Sequence, residues 1–206
     1  WHGWWRGRLE LGFRRRFQLR RWRWFWWRRR LRRLVMLSRW IRLLKHRWAD
    51  DSARALRPDV LQRLHTRVSA SEAQHSGEIR ICIEAGLPNS YLLRPDTTAG
   101  LIRQRALSQF GRLRVWDTEY NNGVLIYLCL AERAIELVAD RGVNRVVSPT
   151  QWSEIVDRLA EALKGDRFEQ GLTQSVDAVG AILAAHYPLK AGQNNPNELP
   201  DAPVLY

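Results

Sequence analysis

The sequence is poor in cysteine, in methionine and in long apolar runs. Its 206 residues include two cysteines and one methionine. Two cysteines are too few for a disulfide-rich scaffold. The longest apolar runs, residues 124–131 and 178–185, are each eight residues long, whereas a membrane-spanning helix needs roughly 18. The length suits one ordinary domain with a core of its own.

Short catalytic and nucleotide-binding motifs are also absent from the sequence. It contains neither the glycine-rich phosphate-binding loops nor the G-x-S-x-G turn that presents a nucleophilic serine. No cysteine or histidine pair has the C-x-x-C or H-x-x-x-H spacing of a zinc site. Cys82 and Cys129 lie inside predicted strands, where we expect buried, reduced and inert thiols. Nucleotide binding through such loops is therefore not expected.

Negative charge is scarce at the start of the chain. Residues 1–35 hold 13 of the 34 Lys and Arg residues and seven of the 11 Trp, with Glu10 as their single acid. The remaining residues carry 21 bases and 20 acids, so they are close to neutral. This distribution excludes a globally basic nucleic-acid binder for the body of the protein.

Two interpretations of residues 1–35 remain open. The first is that Met36 is the biological start and that residues 1–35 are a translated upstream stretch or a disordered segment. The second is that they bind anionic lipid or nucleic acid, because Arg supplies charge and Trp can lie at a membrane interface or stack on bases. The segment lacks the uninterrupted apolar stretch of a secretory signal.

An amphipathic helix is predicted directly after Met36. Its apolar residues follow helical spacing and are Leu37, Trp40, Ile41, Leu44 and Trp48. Basic residues occupy much of the remaining surface, so this helix could lie on an anionic membrane with the apolar residues facing it. Packing of the same stripe against the protein's own domain is the equal alternative.

The remaining patterns predict an α/β fold. Hydrophobic periodicity and turn signals give helices over residues 59–74, 99–110, 149–164 and 168–186, and strands over residues 78–84, 113–116, 124–130 and 134–139. Capping signals start two of these helices, at Ser148 and at Asp166. The order predicts a three-layer αβα sandwich with a small mixed β-sheet flanked by helices. The predicted organisation is N-terminal helices over 36–76, an α/β domain over 77–188 and a disordered tail over 189–206.

Four acidic residues are placed at the predicted ends of strands. Glu84 follows the first strand, Asp117 and Glu119 precede the central strand, and Asp140 follows the last. Ligands of open α/β sheets bind at strand ends, and carboxylates there would suit a hard cation such as Ca²⁺. The alternative is that these residues are ordinary solvated loop acids.

Several segments of the body resemble the TPM domain family. They are residues 75–79 (HSGEI), 121–128 (NNGVLIYL), 136–143 (ELVADRGV), Trp152 and residues 186–188 (HYP). Together these segments span most of residues 77–188. Asn122-Gly123 also suits a tight entry into the buried central strand. The chain looks like the short bacterial type of the family.

The resemblance implies functions that the residues alone do not. Some family members bind Ca²⁺ at acidic strand-end loops and some plant members are acid phosphatases, while bacterial members look like companions of LemA-type membrane proteins. Only Asp140 matches the family's Asp-x-Gly motif directly. We therefore expect a TPM-like binding or accessory domain with a membrane-protein partner and an optional Ca²⁺, cytoplasmic or peripheral at the inner membrane. A metal-dependent phosphatase is the alternative, and binding of anionic membranes or nucleic acids through residues 1–35 is the second alternative.

Overall fold

The computed structural model describes residues 56–189 and 197–206. In chain order the elements are α1 Pro58–Glu72, β1 Ile79–Glu84, α2 Asn89–Leu92, α3 Thr98–Arg112, β2 Val124–Cys129, β3 Ala134–Ala139, α4 Arg141–Val146, α5 Pro149–Lys164, α6 Phe168–His186 and β4 Val204–Leu205. The predicted membrane-facing residues, Leu37, Trp40, Ile41, Leu44 and Trp48, lie outside the described residues.

The four strands form one mixed sheet in the order β3-β2-β1-β4. β1 and β2 are parallel, with Ile79 opposite Val124 and Glu84 opposite Cys129. β3 returns antiparallel to β2, so that Ala139 lies opposite Val124. The amino ends of β1 and β2 and the carboxyl end of β3 therefore meet at one end of the sheet.

Helices cover both faces of this sheet. Alternate residues of β1 and β2, including Ile81 and Ile126, belong to a core shared with α1, α5 and α6. The intervening residues face α3, as the hydrogen-bonded contacts of Glu84 with Arg105 show. Both central strands are fully buried, as expected for strands covered on two sides. The predicted α/β sandwich is confirmed.

One predicted helix start is confirmed and the other is wrong. Ser148 accepts a hydrogen bond from the Gln151 backbone N–H and Gln151 reaches back to the Ser148 N–H, which completes the capping box of α5. Asp166 does not cap α6, because its φ of 55° places it in a left-handed turn. Arg167 precedes α6 instead. α6 has 19 residues, and no helix in the described part of the chain is long and apolar enough to cross a bilayer.

Residues 113–116 form a turn rather than the predicted short strand. Arg114 has a φ of 54°, and its N–H donates to the Gly111 carbonyl while the Val115 N–H donates to the Phe110 carbonyl. These two bonds close the carboxyl end of α3 in a Schellman motif. Leu113 and Val115 therefore belong to the end of a helix. The alternation of apolar and polar residues alone does not distinguish such a helix end from a short strand.

The end of the chain is ordered over residues 197–206, which differs from the disordered tail predicted for residues 189–206. β4 adds to β1 in parallel, with Val204 opposite Cys82 and Leu205 opposite Ile83. The Tyr206 N–H donates to the Ile83 carbonyl, and the Ala85 N–H donates to the Tyr206 carbonyl. We call residues 197–206 the strap. A strand of two residues is too short to leave a periodic pattern in the sequence.

β3 forms the opposite edge of the sheet, and side chains cover part of its outer side. Arg103 Nη1 donates to the Leu137 carbonyl at 3.0 Å, and Asn144 Nδ2 donates to the Ala139 carbonyl at 2.6 Å. Carbonyls with such partners are unavailable to a further strand.

Candidate functional site

The four predicted acidic ligands do not converge on one place. Glu84 ends β1 opposite Cys129, at the carboxyl end of the two parallel strands. Asp117 and Glu119 precede β2, and Asp140 follows Ala139 at the other end of the sheet. Five strand steps separate the two ends, about 17 Å. Glu84 is therefore not part of a common rim with the other three.

Glu84 lies in a closed cluster between β1, β2 and α3. Its side chain is fully buried. Arg105 Nη2 donates to Glu84 Oε1 at 2.5 Å and Arg105 Nε donates to Oε2 at 2.9 Å. The Tyr127 hydroxyl donates to Oε2 at 2.7 Å, and Gln109 Nε2 donates to Oε1. These donors satisfy both carboxylate oxygens, which describes a structural ion pair rather than an open ligand.

The proton affinities around Glu84 agree with a closed cluster. Burial and the adjacent Glu84 raise the pKa of the Tyr127 phenol far above its ordinary value. Burial lowers the pKa of Arg105, but the hydrogen bond and the charge of Glu84, together with the neighbouring tyrosines, outweigh burial and raise that pKa overall. Burial also raises the pKa of the Cys82 thiol to about 12, so the thiol stays protonated and unreactive at neutral pH.

The opposite end of the sheet brings two loops into direct contact. The Asp140 N–H donates to the Gly123 carbonyl at 2.9 Å, and the Gly142 N–H donates to the Asn121 carbonyl at 3.0 Å. A Cβ on Gly142 would lie 2.5 Å from that carbonyl oxygen. Asn121 has a φ of 53°, which asparagine tolerates better than most residues. We call residues 121–123 with residues 140–142 the junction.

A third and a fourth segment of the chain reach the junction. Asn122 Nδ2 donates to the Ser76 carbonyl at 3.0 Å. His75 and Pro188 pair in an antiparallel bridge, and the Ser76 N–H donates to the Tyr187 carbonyl at 3.0 Å. Residues 75 and 188, which are 113 positions apart in the chain, therefore meet beside the loop before β2.

The junction contains two buried oxygens that lack a hydrogen-bond partner among the described residues. They are Asn122 Oδ1 and Asp140 Oδ2. Asn122 is 0% exposed, and its amide nitrogen is already bonded to Ser76. Asp140 Oδ1 accepts from the Arg141 N–H at 2.6 Å and so caps α4. Buried oxygens of this kind can accept a further partner, such as a water or an ion.

Positive and neutral groups surround the Asp140 side of the junction. Arg141 Nε donates to Asn121 Oδ1 at 2.8 Å. Burial raises the pKa of the Tyr187 phenol, with Arg145 opposing this shift and Asp140 adding to it. Asp117 and Glu119 are exposed. In the described residues, no three His, Cys, Asp or Glu side chains form a group that could hold a metal ion.

These segments are the ones that carried the resemblance in the sequence, and a comparison with family models agrees. The model of the TPM domain matches residues 49–182, more than half of the chain. The chain belongs to the TPM domain family. The match also includes α1, which precedes the segments recognised in the sequence.

Two solved structures resemble this TPM domain. The NMR structure of the BA42 protein from the psychrophilic bacterium Bizionia argentinensis is 26% identical, with a TM-score of 0.62, over 73% of this chain and 95% of that one. The N-terminal domain of a protein from P. gingivalis is 21% identical, with a TM-score of 0.48, over 67% of this chain and 84% of that one. Comparison with curated proteins finds no match.

Sequence reasoning missed the roles of two buried polar side chains of this TPM domain. Asn122 was recognised only as part of a turn, although the side chain of a buried asparagine requires partners. Arg105 lies four residues after the inward-facing Leu101 and four before Gln109, so its position on the apolar stripe of α3 was a usable signal. A cation on that stripe predicts a buried acid opposite it.

Proposed function

We propose that this TPM domain is a binding module that takes a divalent cation, Ca²⁺ in the first instance, at the junction. The observation that supports the proposal is the pair of buried oxygens without partners, Asn122 Oδ1 and Asp140 Oδ2. Both belong to loops that are hydrogen-bonded to each other. Oxygen atoms of carboxylates and amides are the ligands that Ca²⁺ prefers.

The residues that would hold the cation are Asp140 and Asn122, completed by carbonyl oxygens or water. Glu84 takes no part, because its oxygens are already bonded at the other end of the sheet. The cation would supply positive charge to two loops whose carboxylate and amide oxygens otherwise lack a counterpart. A module of this kind would present an ordered loop edge to a partner when the cation is bound.

A thermal melt of the full chain in EDTA and in millimolar Ca²⁺ tests the proposal. A cation that binds the folded state raises the midpoint by mass action. We expect a rise in the wild type that Asp140→Asn abolishes. Asp117→Asn is the matched control, because it removes the same charge from an exposed loop residue at the same end of the sheet. Equal midpoints with and without Ca²⁺ would contradict the proposal.

Phosphatase activity at the junction is the second candidate function. The Arg141 guanidinium donates to Asn121 Oδ1 in the junction, and Arg145 acts on the same Tyr187 phenol as Asp140, so an anionic phosphate ester would meet positive charge there. Hydrolysis of a chromogenic phosphate monoester in Ca²⁺ or Mg²⁺ should then fall strongly in Asp140→Asn. Turnover that this variant leaves unchanged would exclude the junction as the active site.

Association with a membrane protein, such as one of LemA type, is the proposed setting for the module. Its support is the amphipathic stripe Leu37, Trp40, Ile41, Leu44 and Trp48, which could also hold the chain on an anionic membrane. We expect the full chain to cosediment with anionic vesicles and Leu44→Glu to weaken that binding. Equal cosedimentation of both forms would assign the binding to another segment.

A further inference from the structure

The strap is attached to the domain by a buried apolar residue and by backbone pairing. Leu199 is 7% exposed, so its side chain is largely removed from water. At the other end of the strap, the Tyr206 N–H donates to the Ile83 carbonyl at 3.0 Å, and the Ala85 N–H donates to the Tyr206 carbonyl at 2.9 Å. These contacts hold the strap at both ends, and Glu198 directly precedes the buried residue.

Glu198 joins the strap to two segments of the chain. Its N–H donates to Glu78 Oε1 at 3.2 Å, and Glu78 directly precedes β1. Its carboxylate accepts from the Glu119 N–H, which lies 3.1 Å from Oε2 and 3.3 Å from Oε1. Glu119 belongs to the loop that leads into β2. One residue of the strap therefore bridges the two segments that enter the paired strands β1 and β2.

The same two segments hold Asn122 of the junction. The Asn122 N–H donates to Thr118 Oγ1 at 3.0 Å, and Thr118 is the neighbour of Glu119. Asn122 Nδ2 donates to the Ser76 carbonyl at 3.0 Å, two residues before Glu78. The direction of the Asn122 side-chain oxygen therefore depends on how the two segments lie relative to each other, and the bridge from the strap fixes that relation.

We propose that the strap regulates the cation site: Glu198 is a positioning residue for Asn122, so that attachment of residues 197–206 and binding of Ca²⁺ at the junction strengthen each other. This coupling rests on the proposed function, because it assigns a control element to the same site. Glu198 acts through its contacts with Glu78 and Glu119 and not as a ligand of the cation.

Coupling of this kind is reciprocal. The factor by which the attached strap raises the affinity for Ca²⁺ is also the factor by which bound Ca²⁺ stabilises the attached strap. The two directions can be measured separately, one at the cation site and one at the edge of β1.

Calorimetric titration of the full chain with Ca²⁺ measures the first direction. Glu198→Ala removes the acceptor of the Glu119 N–H and leaves the backbone N–H that donates to Glu78. A single hydrogen bond changes an equilibrium constant by about threefold to tenfold. We therefore expect the Kd for Ca²⁺ to rise by about threefold to tenfold in Glu198→Ala.

Two further variants separate positioning from the loss of a negative charge. Glu198→Gln keeps a side-chain oxygen for the Glu119 N–H but removes the charge, so we expect it to restore most of the wild-type affinity. Glu154→Ala removes the same carboxylate from an exposed ion pair of α5 and is the matched control, which should bind Ca²⁺ as the wild type does. A Kd as high in Glu198→Gln as in Glu198→Ala would assign the effect to charge and overturn the positioning role.

Hydrogen exchange of individual amides measures the reverse direction. Exchange of a hydrogen-bonded amide requires local opening. The Tyr206 and Ala85 N–H groups report on the strap, and the Leu130 N–H, which donates to the Glu84 carbonyl, is the internal reference. Relative to this reference, saturating Ca²⁺ should raise the protection of the strap amides by about threefold to tenfold in the wild type and leave it unchanged in Glu198→Ala.

The outcomes distinguish the coupling from the cation site on which it rests. Absence of Ca²⁺ binding to the wild type would overturn both. Wild-type binding that Glu198→Ala leaves unchanged would overturn the coupling alone, and so would strap protection that does not respond to Ca²⁺. If Glu198→Ala fails to fold, the exchange of the strap amides in the wild type decides.

Discussion

Glu84 and Glu72 are both buried beside β1, but different groups surround them. Glu84 faces the Arg105 guanidinium and the donors of Tyr127 and Gln109. Glu72 lies beside Glu78 and Asp201, with Arg80 also close to it. Glu84 has a hydrogen-bonded guanidinium as its partner, whereas burial and Glu78 raise the pKa of Glu72 to about 9. The groups around a buried acid therefore decide its charge at neutral pH.

Removal of the cation beside Glu84 should have the largest effect. Arg105→Met keeps side-chain bulk but leaves a buried carboxylate without its guanidinium, which should lower the free energy of unfolding by about 3–5 kcal/mol. Urea unfolding followed by circular dichroism measures this loss. Arg103 is on the same helix as Arg105 and forms an exposed ion pair with Glu136 of β3. Arg103→Met should lower the free energy of unfolding by at most about 1 kcal/mol. Equal losses for the two variants would show that the burial of the pair is irrelevant.

Glu72 should make the stability of the fold decrease as the pH rises. Its pKa is about 9 when folded against 4.5 in its ordinary state, so the folded chain binds more protons between these values. The contribution of Glu72 to the free energy of unfolding is present in full below about pH 4.5 and is lost by about pH 9. Between these values it falls by about 1.4 kcal/mol per pH unit. Urea midpoints from about pH 5.5 to pH 8 should show this slope in the wild type and lose it in Glu72→Gln. A slope unchanged by the substitution would assign it to other groups.

Loss of one neutral donor beside Glu84 should have the smallest effect. Tyr127→Phe removes the hydroxyl that donates to Glu84 Oε2 while the ring and the Arg105 contacts remain. Hydrogen bonds to charged groups contribute about 1.5–3 kcal/mol, so we expect a loss near the lower value. Urea unfolding at neutral pH measures it. A loss as large as that of Arg105→Met would mean that the phenol, not the guanidinium, sustains the carboxylate.

The sequence predicted local structure better than the partners of its acids. Strict alternation over Ile79, Ile81 and Ile83 and the capping box at Ser148 depend on neighbouring residues, and both were correct. The strand predicted over residues 113–116 was wrong, because the backbone N–H groups of Arg114 and Val115 close the carboxyl end of α3. β4 was missed because its two residues form a strand only by pairing with β1, which lies more than 100 positions earlier in the chain.

The candidate site was only partly visible in the sequence, for a similar reason. Asp140 was recognised beside a glycine turn, and its contact with the loop at Gly123 follows from the antiparallel return of β3. Glu84 was grouped with Asp140 because both residues follow a strand, and the sequence does not show at which end of the sheet a strand finishes. The direction of each strand decides which ends meet, and pairing between distant segments sets that direction.

The two edges of the sheet are closed by different means, and this difference bears on how copies of the protein meet each other. On β3, Arg103 and Asn144 occupy outward carbonyls with side chains of the neighbouring helices, so that this edge is a poor template for a foreign strand. The β1 edge relies on the strap. Within the described fold, pairing of the β1 edge with a strand of another molecule therefore requires that the strap first leaves that edge.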